Sequence, residues 1–130
     1  MMDRLLQSDK KVTMKENQLV DLSKAFAIDV VTISAKLRET REGAVLMSQL
    51  LRSGTSIGAN IHEANYAASK ADFINKMQIA LKECYETEYW LELFQATQLI
   101  SEEQYDALRV QSSKIRKLLT ASINTAKSGL

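Results

Sequence analysis

Leu50-Leu51-Arg52-Ser53-Gly54-Thr55-Ser56-Ile57-Gly58-Ala59-Asn60-Ile61-His62-Glu63-Ala64-Asn65-Tyr66 reads in two incompatible ways. Gly54-Thr55-Ser56-Ile57-Gly58 matches G-x-S-x-G, the nucleophile elbow of hydrolases. The same stretch carries two glycines four residues apart, which a helix places on one face. An elbow needs a strand, a sharp turn and then a helix. Met47 to Arg52 instead continues a helical pattern, and the chain lacks the alternating β-branched runs of a sheet. The single histidine, His62, follows Ser56 by six residues. On a helix that is about 120° away, so the two side chains diverge and cannot act as nucleophile and base. Each interior glycine costs a helix about 1 kcal/mol relative to alanine. Gly54 and Gly58 recover that cost if a neighbouring helix approaches closely, and they are read as packing positions.

Outward from this stretch, four amphipathic segments follow one another. Leu19, Leu22, Phe26, Val30, Ile33 and Leu37 advance in steps of three and four, so a helix is expected from about Asn17, a plausible N-cap, to Thr40. Arg41-Glu42-Gly43 offers a glycine break before a second helix from about Ala44 to Ala67. Ser69 and Asp72, then Ser101 and Gln104, stand three apart as capping boxes opening a third and a fourth helix. The expected fold is an all-α, antiparallel up-down-up-down four-helix bundle spanning residues 16–128, preceded by a loose N-terminal arm over residues 1–15.

Composition agrees with this architecture. The 130 residues contain no proline and four glycines, so nothing forces a break within long helices. With 45% hydrophobic and 25% charged residues, the chain has the profile of an ordinary soluble domain. No apolar run is long enough to span a membrane. No signal peptide is apparent, and the lone cysteine, Cys84, fits a reducing cytoplasm and an ordinary core position. A di-iron centre would need two Glu-x-x-His pairs, but Ala59 stands where the glutamate before His62 would be. No metal or cofactor is therefore expected.

Charge is even in sum and uneven in place. Net charge is +1. Glu83 to Asp106 holds seven acids and no Lys or Arg, whereas Ala107 to Leu130 holds five bases and no acid. Arg109, Lys114, Arg116 and Lys117 are thus candidate phosphate contacts. On the second helix Arg52, Ser56, Asn60 and Glu63 share a narrow sector, and Lys82 and Glu86 share one on the third with Asn75. Arg52 and Lys82 could pair with Glu63 and Glu86 as a polar network, or the stripes could be two solvated faces. The third helix is apolar over most of its circumference. Tyr85, Tyr89, Trp90 and Phe94 are accordingly candidate oligomer contacts.

Leu50 to Ala64, together with Phe73 to Glu88, resembles the two motifs of the four-helix bundle family encoded in bacterial 23S rRNA intervening sequences. That family is related to the accessory variability protein of diversity-generating retroelements. The resemblance extends from about Leu19 to Leu119 and implies homopentameric assembly with no known catalytic activity. For the retroelement relative it implies binding of reverse transcriptase and RNA through a basic surface. Arg52, Ser56, Asn60, Glu63, Lys82 and Glu86 match the family's polar positions, for which it implies a structural role. The expected function is a non-enzymatic, oligomeric helical module binding RNA or an RNA–protein partner. The alternative is a protein–protein scaffold with no nucleic-acid role.

Overall fold

The computed structural model describes residues 2–37 and 41–129, with side chains described for residues 18–37, Arg41 and residues 43–129. Four helices follow in order: α1 (Met2–Leu37), α2 (Arg41–Ala64), α3 (Lys70–Ala96) and α4 (Glu102–Lys127). Each packs on its neighbour in sequence, and α1 closes the ring against α4, with no close backbone approach across the diagonals among the described residues. This is the antiparallel four-helix bundle that the periodicity predicts. Leu19, Phe26 and Val30 meet Leu50, Ile57 and Ile61, with Met77, Cys84, Leu91 and Phe94 and then Leu108, Ile115 and Leu119 completing a single core.

Two boundaries differ from expectation. The backbone of α1 is helical from Met2, which puts Asn17 inside the helix rather than at its N-cap. Neither proline nor glycine interrupts the chain from Met2 to Leu37, so nothing local stops the helix there. α2 begins at Arg41, which puts Gly43 inside its first turn rather than in a break between helices.

The α1–α2 seam explains the glycine pair. A Cβ on Gly54 would lie 3.1 Å from both Val30 methyls, and one on Gly58 would lie 3.4 Å from the Ser23 carbonyl and hydroxyl oxygens. The helix thus recovers the cost of two interior glycines through close approach of α1. No strand or sharp turn surrounds Ser56, because α2 runs unbroken through it. The nucleophile elbow is therefore excluded by the backbone itself.

The remaining connections are set by local chemistry. Ser101 and Gln104 form a complete capping box, with Gln104 N donating to Ser101 Oγ at 3.0 Å and Ser101 N donating to Gln104 Oε1 at 2.9 Å. At α3 the box is incomplete. Asp72 N donates to Ser69 Oγ at 3.1 Å, but the Asp72 carboxylate accepts from Ala68 N at 3.3 Å, one residue before the cap. α3 ends in a Schellman motif, in which Leu99 N reaches Phe94 O at 2.8 Å and Gln98 N reaches Gln95 O at 3.1 Å. Gln98 holds φ 63°, a left-handed conformation in which glycine is the usual occupant.

Two stability changes follow. Gln98→Gly relieves the left-handed strain, and after the greater freedom of glycine in the unfolded chain is set against it, stability should rise by about 0.5–1 kcal/mol. Gly54→Val has no room against Val30 and should lower stability by about 1–3 kcal/mol. Urea denaturation of each variant checks both signs.

Candidate functional site

The chemistry-bearing residues of α2 meet those of α3 on the outside of the α2–α3 seam. Arg52 reaches across from the middle of α2. Its Nη2 bonds the Glu86 carboxylate and its Nη1 lies 3.4 Å from Glu83 Oε2. One guanidinium thus serves two carboxylates one turn apart on α3. Beneath it, Thr87 Oγ1 and Ser53 Oγ lie 3.0 Å apart in full burial, and the Thr87 hydroxyl also lies 2.7 Å from Glu83 O. The ionic fork therefore caps a buried hydroxyl contact between the same two helices.

The two acids of the fork titrate in opposite directions. Burial, followed by the adjacent Glu86 carboxylate, pushes Glu83 above the usual carboxylate range. The hydrogen bond from Arg52 holds Glu86 below it. The Trp90 indole N–H contributes to that lowering by proximity, yet it is buried without a partner of hydrogen-bonding geometry. The stability that Glu86 confers is complete above its ordinary range and is lost as pH falls. Glu83 acts in the reverse sense, its contribution being greatest at low pH and lost as pH rises.

Other members of the expected network lie apart from the fork. Glu63 pairs with Lys76 at 3.0 Å, not with Arg52 or Lys82, because its place near the end of α2 sets it beside the start of α3. Linear spacing does not mark Lys76 as the partner of Glu63. The signal for it was the antiparallel register, which pairs late α2 with early α3. Lys82 makes no ion pair among the described residues, and Asn75 is exposed. Asn60 Nδ2 donates within its own helix to Ser56 O at 2.9 Å and lies 3.2 Å from Ser56 Oγ. The ring of His62 packs against Tyr66 at 5.4 Å between centroids. Ser56 thus has an amide beside it, and His62 has a tyrosine.

The α3–α4 seam carries a second set. Arg116 donates from Nε to Glu88 Oε1 at 2.9 Å and from Nη2 to Ser113 Oγ at 3.3 Å, with its guanidinium 5.8 Å from the Tyr85 ring centroid. The Glu88 hydrogen bond raises the Arg116 pKa further. Arg109 lies 4.0 Å from Asp106. Two of the four candidate phosphate contacts are thus shared with acids, while the exposed Lys114 and Lys117 make no ion pair among the described residues. Glu88, Leu91, Glu92, Tyr105, Arg109 and Arg116 line a shallow cleft of about 200 Å³. Its walls carry equal numbers of acids and arginines.

On the outward face of α3, Tyr85 and Tyr89 are 55% and 58% exposed, and Tyr89 meets the half-buried Trp90 edge to face at 5.2 Å. Phe94 departs from the expectation. It is fully buried, because the core stripe Met77, Ala80, Cys84, Thr87, Leu91 ends on it, and it therefore belongs to the bundle's interior rather than to a subunit contact. Cys84, buried on the same stripe, has its thiol pushed up to about 12 by desolvation. The neutral thiol of the fold loses stability to the unfolded thiolate as pH rises above its ordinary value.

A family model for 23S rRNA-intervening sequence proteins matches residues 15–121, which include both seams and the whole glycine stretch. The chain belongs to that family. Among curated proteins no match was found. The crystal structure of a protein of unknown function from the S23 ribosomal protein family of Bacteroides thetaiotaomicron is similar to it, with 50% sequence identity and a TM-score of 0.81. The likeness covers 85% of this chain and 98% of that one. In this intervening-sequence protein no group of His, Cys, Asp and Glu among the described residues is placed to hold a metal ion. No helix among them is long and apolar enough to cross a membrane.

The fork yields a prediction of opposite signs. Glu86→Gln should cost a few tenths to about 1 kcal/mol near neutral pH, a small value because Arg52 is half exposed. Glu83→Gln should be neutral or stabilising, since it removes a carboxylate that burial disfavours. Parallel urea titrations of the two variants, repeated at mildly acidic pH where the contrast should shrink, measure this directly.

Proposed function

We propose that this chain is a non-enzymatic, self-assembling helical module that docks an RNA or RNA–protein partner. The observation that carries the reading is the outward face of α3, where Tyr85 and Tyr89 stay more than half exposed beside the half-buried Trp90. Aromatic side chains with one apolar and one wet side are enriched at protein interfaces. The assembly implied by the resemblance is a homopentamer, and the lone buried thiol fits a cytoplasmic setting. The non-enzymatic part of the reading is supported by Ser56, which has a neighbouring amide and no base beside it.

The nucleic-acid part rests on Lys114 and Lys117. With Arg109 and Arg116 shared with acids, the free positive charge of α4 is modest. That restraint favours a second reading, a protein scaffold without RNA. Two phosphate contacts on a single strand correspond to a salt slope of only about −1.4 per protomer.

A mass measurement in solution, set beside an RNA titration at several salt concentrations, separates the readings. The expected result is an oligomer that loses mass on combined Tyr89→Ala and Trp90→Ala substitution. It should bind RNA with a shallow salt slope that Lys114→Gln with Lys117→Gln flattens further. An oligomer with no RNA binding at low salt selects the scaffold. A monomeric full chain removes the assembly reading.

A further inference from the structure

The outward face of α3 carries a pattern that the bundle does not use. Gln78, Lys82, Tyr85, Tyr89, Glu92 and Ala96 advance in alternating steps of four and three. At 100° per residue they form one seam within about 80° of the helix circumference. All six are exposed, on the side turned away from the core stripe. Neither glycine nor proline occurs between Lys70 and Ala96, so the seam runs along an uninterrupted helix.

Read backwards, the seam is its own complement. Tyr85 and Tyr89 stand two residues either side of Thr87, Lys82 and Glu92 five either side, and Gln78 and Ala96 nine either side. Lys82 and Glu92 carry opposite charges, and neither makes an ion pair among the described residues. The charges that flank the seam are engaged elsewhere. On the α4 side Arg116 holds Glu88 at 2.9 Å and Arg109 lies 4.0 Å from Asp106. On the α2 side Glu83 and Glu86 share Arg52. Arg116 also lies beside the Tyr85 ring, which stays more than half exposed. The seam is thus neutral in sum, with its two free charges about 15 Å apart along the axis.

Two such seams can meet about a two-fold axis in two ways. With the helices parallel, each residue meets its own image, and Lys82 faces Lys82 while Glu92 faces Glu92. With the helices antiparallel and the axis level with Thr87, Lys82 of each copy meets Glu92 of the other. Tyr85 of each then meets Tyr89 of the other. Only the antiparallel arrangement pairs both free charges and stacks all the exposed tyrosines. A patch complementary to itself is what an isologous contact requires, whereas a partner of other chemistry needs no such symmetry in the seam.

We propose that two copies of this chain associate through antiparallel α3 seams, with Lys82 of each copy paired to Glu92 of the other. The four tyrosine rings form the apolar centre of the contact. Trp90 backs it through its edge-to-face packing on Tyr89 at 5.2 Å. The two Lys82–Glu92 pairs close its ends and set the register. The pairing rests on the reading of the α3 face as a contact between copies and gives that contact its partner surface. A two-fold contact closes at two copies, so beside an odd-numbered ring it joins one ring to another.

The test uses the full chain, its mass followed by sedimentation over a range of concentrations. Lys82→Glu sets acid against acid at both ends of the contact, and Glu92→Lys sets base against base. Each should weaken the pairing about tenfold or more, halving the mass at a concentration where the unaltered chain is paired. An equal mixture of the two variants should recover the full mass, because every acid then meets a base across the contact. The doubly exchanged chain should pair with itself for the same reason, which separates lost pairing from lost folding. Unchanged mass in either single variant, or a mixture that stays at half mass, overturns the two-fold register. If Tyr89→Ala lowers the mass while both charge variants keep it, the α3 face remains a contact between copies and the antiparallel pairing alone falls. A full chain that is monomeric at every concentration sinks both.

Discussion

The close approach of α1 and α2 at Gly54 and Gly58 is the constraint on which the other seams depend. Once a bare backbone meets Val30 at 3.1 Å from where a Cβ would stand, the register of the first hairpin is set. That register places Ser53 under Thr87 and Arg52 over Glu83 and Glu86. The glycines act at a distance because α2 is rigid. The face towards α3, where Ser53 and Arg52 stand about 100° and 160° round the helix from Gly54, is aimed by the contact with α1. The polar fork is therefore the outer consequence of an inner packing decision, and its ionic energy is small beside the apolar burial that positions it.

The core contains a set of small hydroxyls where the helices come close. Ser23, Ser53, Thr87 and Ser112 are buried, and each has a hydrogen-bond partner within its own helix or across a seam. A hydroxyl bonded to the carbonyl three or four residues back carries no unsatisfied polarity into the interior. The serines are close to alanine in size and let helix axes approach. Ser34 is the exception, its hydroxyl being buried without a partner.

Charge is arranged to hold the seams before it serves the surface. The acid-rich stretch of α3 and the base-rich stretch of α4 meet through Arg116 and Glu88, so part of what resembles a basic patch along the sequence is spent within the molecule. Lys114 and Lys117 remain free because their helix positions face away from α3. Linear charge counting cannot separate these cases. The difference between Arg116 and Lys117 is a single step of about 100° round the helix.

The chain by itself determined what depends on neighbours three and four residues away. Periodic apolar positions from Leu19 to Leu119, the absence of proline and the Ser101–Gln104 box specified four long helices and an antiparallel bundle. The identity of Gly54 and Gly58 as packing residues was equally legible, since interior glycines need a steric reason. Tertiary structure decided which polar residues meet. Glu63 took Lys76 and Arg52 took both Glu83 and Glu86, because pairing across a seam depends on axial offset between helices, which no local spacing encodes. It also assigned Phe94 to the core and left Tyr85 and Tyr89 outside. On a helix apolar around most of its circumference, composition cannot say which face is inside. That choice belongs to the helices packed against it.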